Sequence, residues 1–180
     1  THSEASQRKP TKNLNTTMPA TSAAAAAAPR WNFAFGANLD PSILTAKRGI
    51  APERTVAGRV RGWRLSFSYC GYIPAEPGFG TLARSATAEV HGVAHRLSPE
   101  DFARLVVFEG GQGCDVPGYR LTELLFEPYD TDEAPFRCAA FVGTSDMLMP
   151  GLLPSRRYLS LLVTGSKHHG VDPAYVAWLE

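Results

Sequence analysis

Glu109 is the carboxylate best placed for catalysis. It follows Phe102, Leu105 and Val106 along the apolar stripe of a helix that opens at Ser98-Pro99-Glu100-Asp101. As the next member of that stripe it is aimed at the interior, or at a pocket beside it. Desolvation there raises a carboxylate's pKa and suits it to general acid/base work. The bland alternative is a helix that frays at Gly110 and leaves Glu109 in water. The second candidate is Phe35-Gly36-Ala37-Asn38-Leu39-Asp40-Pro41. A strand ends in Gly36, and small residues lead to a helix opened by Asp40-Pro41. Successive backbone N–H groups in such a turn can cradle an anion. An ordinary strand-to-helix turn has the same pattern, and a single glycine does not make a dinucleotide fingerprint.

Other groups carry less. Gly110-Gly111-Gln112-Gly113 lacks the Gly-Lys-Ser/Thr ending of a phosphate loop, so it reads as a mobile loop or a plain turn. His91 and His95 are four apart on a segment that reads as a strand. That separation is about 13 Å, too far for both to share a tetrahedral zinc. His168-His169 fit the last turn of a helix, where cations are favoured. No metal site is expected. Cys114, beside Asp115, could be a nucleophile, but nothing local would lower its pKa. GxSxG is absent.

These residues need a scaffold. Asn32–Phe35 reads as a strand. Val60–Tyr69 alternates, with Trp63, Leu65, Phe67 and Tyr69 on one face. Glu89–Leu97, Tyr119–Phe126 and Phe136–Val142 read as further strands. Besides the Ser98 helix, Pro154-Ser155 opens a second, ended by Gly165 or Gly170, and Asp172-Pro173 a third. Strands in the middle and helices at the end give an α+β class.

The 180 residues carry 18 basic and 17 acidic side chains, a net charge of +1, which offers no basic surplus for nucleic acid. Hydrophobic residues are 44% and charged residues 19%, the composition of a globular domain. No run of about 18 apolar residues predicts a membrane span. Cys70, Cys114 and Cys138 form an odd set without CxxC spacing, which argues against a disulfide framework and fits a reducing compartment. Residues 1–30 differ from the rest: poor in large apolar residues, with Arg8, Lys9, Lys12 and Arg30 against Glu4. They read as a disordered tail or a transit-like leader, with residues 31–180 as the domain. The compartment expected is the cytoplasm, or a plastid or mitochondrion if the leader is a transit peptide.

The order of the motifs resembles the γ-glutamylcyclotransferase family over residues 31–180. Phe35-Gly36-Ala37-Asn38-Leu39 is similar to the family's Tyr-Gly-Ser-Asn-Leu loop. Gly62-Trp63-Arg64-Leu65-Ser66-Phe67 and Val90-His91-Gly92-Val93 follow as its next two strands. Val107-Phe108-Glu109-Gly110 matches the helix end that carries the acid, and Gly118-Tyr119 comes after a loop. Pro154-Ser155-Arg156-Arg157-Tyr158 and Gly165-Ser166-Lys167-His168-His169-Gly170 look like the final helices.

The resemblance implies a small, strongly curved mixed sheet, nearly a barrel, with helices outside. It implies cyclisation of a γ-glutamyl group to 5-oxoproline with release of the attached amine, without cofactor or metal. Glu109 would be the acid/base. Phe35, Gly36, Ala37, Asn38, Leu39, Tyr119 and Tyr158 would bind the small γ-glutamyl substrate, in a monomer or homodimer. The sequence departs from the pattern at Phe35 and Ala37, which lack the family's Tyr and Ser hydroxyls, and in a long Gly-rich stretch before Tyr119. A non-catalytic binding or scaffold module on the same fold is the rival reading. A form specific for γ-glutamylamines or for glutathione is another.

Overall fold

The computed structural model describes residues 28–111 and 118–180. The expected tail therefore lies outside the described residues except for its last three positions. Gln112, Gly113, Cys114 and Asp115 lie outside as well.

Five strands close into a barrel in the order β1-β3-β2-β4-β5. β1 is Arg30–Ala34, β2 Arg54–Ile73, β3 Glu76–Leu97, β4 Tyr119–Pro128 and β5 Phe136–Gly143. All pairings are antiparallel except β1 with β5, which closes the barrel in parallel at Asn32 and Ala139. The Asn32 carboxamide strengthens that seam by donating to the Ala139 carbonyl at 3.1 Å. The mixed, curved sheet read from the sequence is thus a closed barrel.

The β2–β3 hairpin is far longer than periodicity suggests. β2 begins six residues before Val60, and β3 begins at Glu76 instead of Glu89. The first half of β3, with Pro77, Gly78, Gly80, Ala83 and Ser85, has too few large apolar residues to alternate visibly. Backbone pairing to β2 holds it extended regardless. Shifts of register after Arg61, Ser66 and Cys70 mark irregularities of the kind that bend a strand.

Phe33, Val60, Val90, Leu124 and Phe126 fill the interior, each at most 4% exposed. A second apolar cluster joins α1 (Pro99–Phe108) to the outside of the barrel. There Phe102, Leu105 and Val106 meet Leu44, Ile50, Leu97 and Phe141. The Ser98 hydroxyl caps α1 by accepting from Asp101 N at 3.1 Å. At the other end Gly110, with φ +87°, lets Gly111 N–H return to the Val106 carbonyl at 2.9 Å. Glu109 is thereby fixed as the last residue before the chain turns away.

α2 (Arg156–His168) and α3 (Pro173–Leu179) start where the sequence places them. Of the two expected stops for α2, Gly170 is the one used, with φ +68° just past the His169 cap, and Gly165 is not. It sits buried inside the helix, which stops only at His168. Its job is close approach: a Cβ there would stand 2.6 Å from Asp40 N and nearer still to the Leu39 carbonyl carbon. The helix can therefore lie directly on the short 3-10 turn Ala37–Leu39. Glycine inside a helix costs about 1 kcal/mol relative to alanine, and the contact explains why that cost is borne.

Gly165→Ala is accordingly expected to destabilise the chain by about 1–3 kcal/mol, the range for overpacking, despite better helix propensity. Urea unfolding checks this, with the exposed Thr164→Ala as a control expected within about 0.5 kcal/mol of the parent. A Gly165→Ala protein as stable as the parent would show that α2 does not need this contact.

Candidate active site

β1 delivers Phe35 and Gly36 to the rim of the barrel, and the chain then turns sharply. Leu39 N–H bonds to the Gly36 carbonyl at 2.9 Å and Asp40 N–H to the Ala37 carbonyl at 3.1 Å. The Asp40 carboxylate accepts from Ser42 N at 2.8 Å and starts the π-helical segment Ser42–Lys47. That segment ends at Arg48, whose guanidinium swings back toward the end of α1.

There it meets Glu109. Arg48 Nη1 donates to Glu109 Oε1 at 2.7 Å, and Asn38 Nδ2 donates to the same oxygen at 3.3 Å. Both side chains of the ion pair are largely buried, 18% and 14% exposed. Among the described residues Oε2 accepts no hydrogen bond, so one oxygen is clamped and the other is left for the cavity. The clamp was not legible in sequence, since Arg48 lies 61 positions from Glu109. The Phe108 ring lies 5.3 Å from the same guanidinium.

The cavity measures about 530 Å³. Phe35, Gly36, Ala37, Asn38, Glu109, Tyr119 and Tyr158 all line it, so seven of the eight residues singled out in the sequence share one site. Leu39 does not. Its side chain is 1% exposed in the barrel core, and its N–H is consumed by the turn. The Tyr158 hydroxyl stands over the same turn, where a Cβ on Gly36 would meet it at 2.9 Å. Gly80 N donates to that hydroxyl at 3.0 Å. With its oxygen accepting from Gly80, the Tyr158 O–H proton is free to be donated.

Burial pushes the Tyr158 phenol up to about 12, with the nearby Glu109 carboxylate adding to the effect. Tyr119 is pushed up more strongly by the same two causes, and it stacks on Tyr69 at 4.5 Å. Both phenols therefore stay neutral and act as donors beside the carboxylate.

At the mouth, Glu76 accepts two hydrogen bonds from Arg157, one of them at 2.6 Å from Nη2, and one from Ser155 Oγ at 3.2 Å. The Arg157 guanidinium holds the Glu76 carboxyl below its usual range. This clasp ties the start of α2 to the start of β3 and carries Tyr158 with it. Glu76 and Arg157 were not assigned to the site from the sequence, because the first half of β3 was not read as a strand.

Known proteins show the same architecture. The chain is 30% identical over 171 residues to the γ-glutamyl cyclotransferase gliK of Aspergillus fumigatus, a match covering 83% of this chain and 61% of that protein. It is 26% identical over 162 residues to the γ-glutamyl cyclotransferase aclK of Aspergillus oryzae, covering 82% and 59%. A solved γ-glutamyl cyclotransferase superposes with a TM-score of 0.68 at 19% identity, over 84% of this chain and 86% of that one. By sequence and by fold the chain is similar to the γ-glutamyl cyclotransferases. A yeast cyclotransferase described as specific to glutathione shares the fold at a TM-score of 0.53 and 14% identity, over 85% and 94%. No protein-family model matches the chain. It spans about three fifths of the length of the two Aspergillus relatives.

Two histidines lie behind the turn. His95 is 2% exposed and His169 is half-buried, with ring centres 5.7 Å apart. Burial lowers the pKa of His169, which makes it less suited to the helix-end cation expected from sequence. Among the described residues no three His, Cys, Asp or Glu side chains converge as metal ligands would. No helix among them is long and apolar enough to cross a membrane.

Two predictions rest on this geometry. The first concerns the clamp. Arg48→Met and Glu109→Gln should couple by about 1–2 kcal/mol in a double-mutant cycle read by urea unfolding. Simple additivity of the two substitutions would show that the ion pair does not hold the carboxylate.

The second concerns pH. Burial lowers the His95 pKa to about 4, with His169 adding repulsion and the Asn38 carbonyl opposing. The unfolded chain takes up that proton near 6.5. Above 6.5 neither state is protonated. Between 6.5 and 4 only the unfolded state is, so stability falls as pH falls; below about 4 both are, and the loss stops. The full loss is about 3 kcal/mol, and His169 is shifted in the same direction. Unfolding free energies at pH 6.5 and 4.5 should therefore differ measurably, and His95→Gln should flatten the profile. A flat profile in the parent chain would contradict the buried neutral histidine.

Proposed function

We propose that this chain cyclises a γ-glutamyl group to 5-oxoproline and releases the attached amine. One observation carries the reading. The clamped Glu109 carboxylate, its Oε2 open, faces the same cavity as the Gly36–Asn38 turn and two neutral tyrosines.

The chemistry asks for such an arrangement. The substrate's α-amine must attack its own γ-carbonyl carbon, yet it is protonated near neutral pH. Glu109 Oε2 removes a proton and frees the lone pair. A bond forms from the α-nitrogen to the γ-carbonyl carbon, and the carbonyl oxygen becomes an oxyanion. The Tyr158 O–H, polarised by Gly80 N–H, is the donor best placed to meet that charge. Glu109 then hands that proton to the leaving nitrogen, takes the second proton from the attacking nitrogen, and passes it on in the same way. The old amide C–N bond breaks, and both protons lost by the α-nitrogen end on the released amine.

Arg48 and Asn38 contribute by fixing the carboxylate, so that its reach to both nitrogens is set before substrate arrives. The cavity would hold the γ-glutamyl chain folded toward a ring, which removes much of the entropic part of the barrier.

The test is 5-oxoproline release from γ-glutamyl-alanine, glutathione and γ-glutamyl-ε-lysine by the purified chain. Turnover of at least one is expected, and Glu109→Gln should lower kcat by at least about 10²-fold while the chain stays folded. Equal turnover by the variant would remove Glu109 from the role. No turnover of any substrate by folded protein would favour a binding module.

A further inference from the structure

The Ala37–Leu39 turn is anchored from behind by side chains that never reach the cavity. His95 stands on β3 with its Nδ1 2.9 Å from Thr55 Oγ1 and its Nε2 3.3 Å from the Asn38 carbonyl oxygen. A carbonyl only accepts, so Nε2 carries the proton and donates. Nδ1 then accepts from the Thr55 hydroxyl. His169, just past the end of α2, packs its ring 5.7 Å from that of His95. The Asn38 carbonyl is thus held on the barrel side. The Asn38 carboxamide, on the other side of the same residue, is left to reach Glu109 at 3.3 Å.

We propose that His95 is a positioning residue for the acid/base. It fixes the Asn38 peptide, the peptide aims the carboxamide, and the carboxamide with Arg48 orients Glu109. This rests on Glu109 being the catalytic group of the cyclisation proposed above.

The geometry makes one nitrogen responsible. Nε2 touches the turn, whereas Nδ1 touches only Thr55 on β2. The groups around the imidazole are His169 from α2, Thr55 from β2 and Asn38 from the turn, with Asp40 near His169 and His168 beside it. None of them is an anion within hydrogen-bond distance of His95, so a neutral Nε2–H imidazole is the form that satisfies both partners in a site 2% exposed.

Side-chain amides separate the two nitrogens. A glutamine amide reaches about as far as Nε2, and an asparagine amide only about as far as Nδ1. His95→Gln therefore keeps the bond to Asn38, while His95→Asn keeps only the contact with Thr55.

The experiment compares both variants with the parent by three readouts. These are kcat and KM for 5-oxoproline release, amide hydrogen exchange at Leu39 and Asp40, and melting temperature. His95→Asn should speed exchange at those two amides about 10-fold, the size of one lost buried hydrogen bond, with β4 and β5 unchanged. It should lower kcat by a similar factor with KM moving less than about threefold. His95→Gln should restore most of both. Exchange in the turn unchanged by His95→Asn, or His95→Gln no better than His95→Asn, would overturn the proposal.

If the parent releases no 5-oxoproline, the functional reading fails while the exchange data still decide whether His95 holds the turn. If both variants fail to fold, long-range 1H–15N correlation of the parent decides. An Nε2–H tautomer at His95 is expected, and an Nδ1–H tautomer would refute the assignment.

Discussion

The site depends on holding one carboxylate still at the end of a helix. A glutamate one residue past a helix has many rotamers and a solvent that competes for both oxygens. Here one oxygen is engaged twice, by Arg48 at 2.7 Å and by Asn38 at 3.3 Å. Those two donors come from opposite ends of the Asn38–Arg48 stretch, so the position of Glu109 depends on how that stretch is folded. The Asx-capped π-helical segment brings Arg48 back, and the 3-10 turn presents Asn38. α1 supplies the third fixed point through Phe102, Leu105 and Val106, seated on the barrel wall.

The rest of the fold supports that stretch from several sides. Gly165 lets α2 press directly on Leu39 and Asp40. The same helix carries Tyr158 at its start, where the Ser155 cap and the Glu76–Arg157 clasp hold it against β3. The long hairpin matters because only the far part of β3 contains Gly80, whose N–H meets the Tyr158 hydroxyl. A hairpin confined to the apolar residues visible in sequence would leave that hydroxyl without this donor.

What the sequence conveyed follows from the range of each signal. α1, α2 and α3 were legible at their starts because caps are local: Ser98, Ser155 and Asp172 each accept from N–H groups two or three residues on. Glu109 was legible as an interior-facing group because a helical stripe is local too. β2 and β3 were cut short because Pro77, Gly78 and Gly80 read as punctuation, and only pairing with the partner strand keeps them extended. Gly165 stood beside Gly170 as an equal candidate stop because nothing nearby in sequence announces that Leu39 will lie against it. Arg48, Glu76 and Arg157 went unassigned for the same reason, since each acts on a residue 60 or more positions away.

The missing hydroxyls at Phe35 and Ala37 take on a different meaning in the folded chain. Phe35 is 7% exposed and its ring packs 5.8 Å from Phe33, so that position contributes an apolar wall. Ala37 contributes through its backbone, whose carbonyl accepts from Asp40 N–H in the turn. The polar contacts of the cavity thus come from groups those substitutions leave in place: the Gly80 N–H, the Tyr158 phenol, the Asn38 carboxamide and the clamped carboxylate. Losing a hydroxyl from the wall costs whatever substrate bond it made. It does not disturb the geometry that fixes Glu109, because none of the groups holding that carboxylate is the side chain of residue 35 or 37. The two departures therefore leave in place every group that holds Glu109.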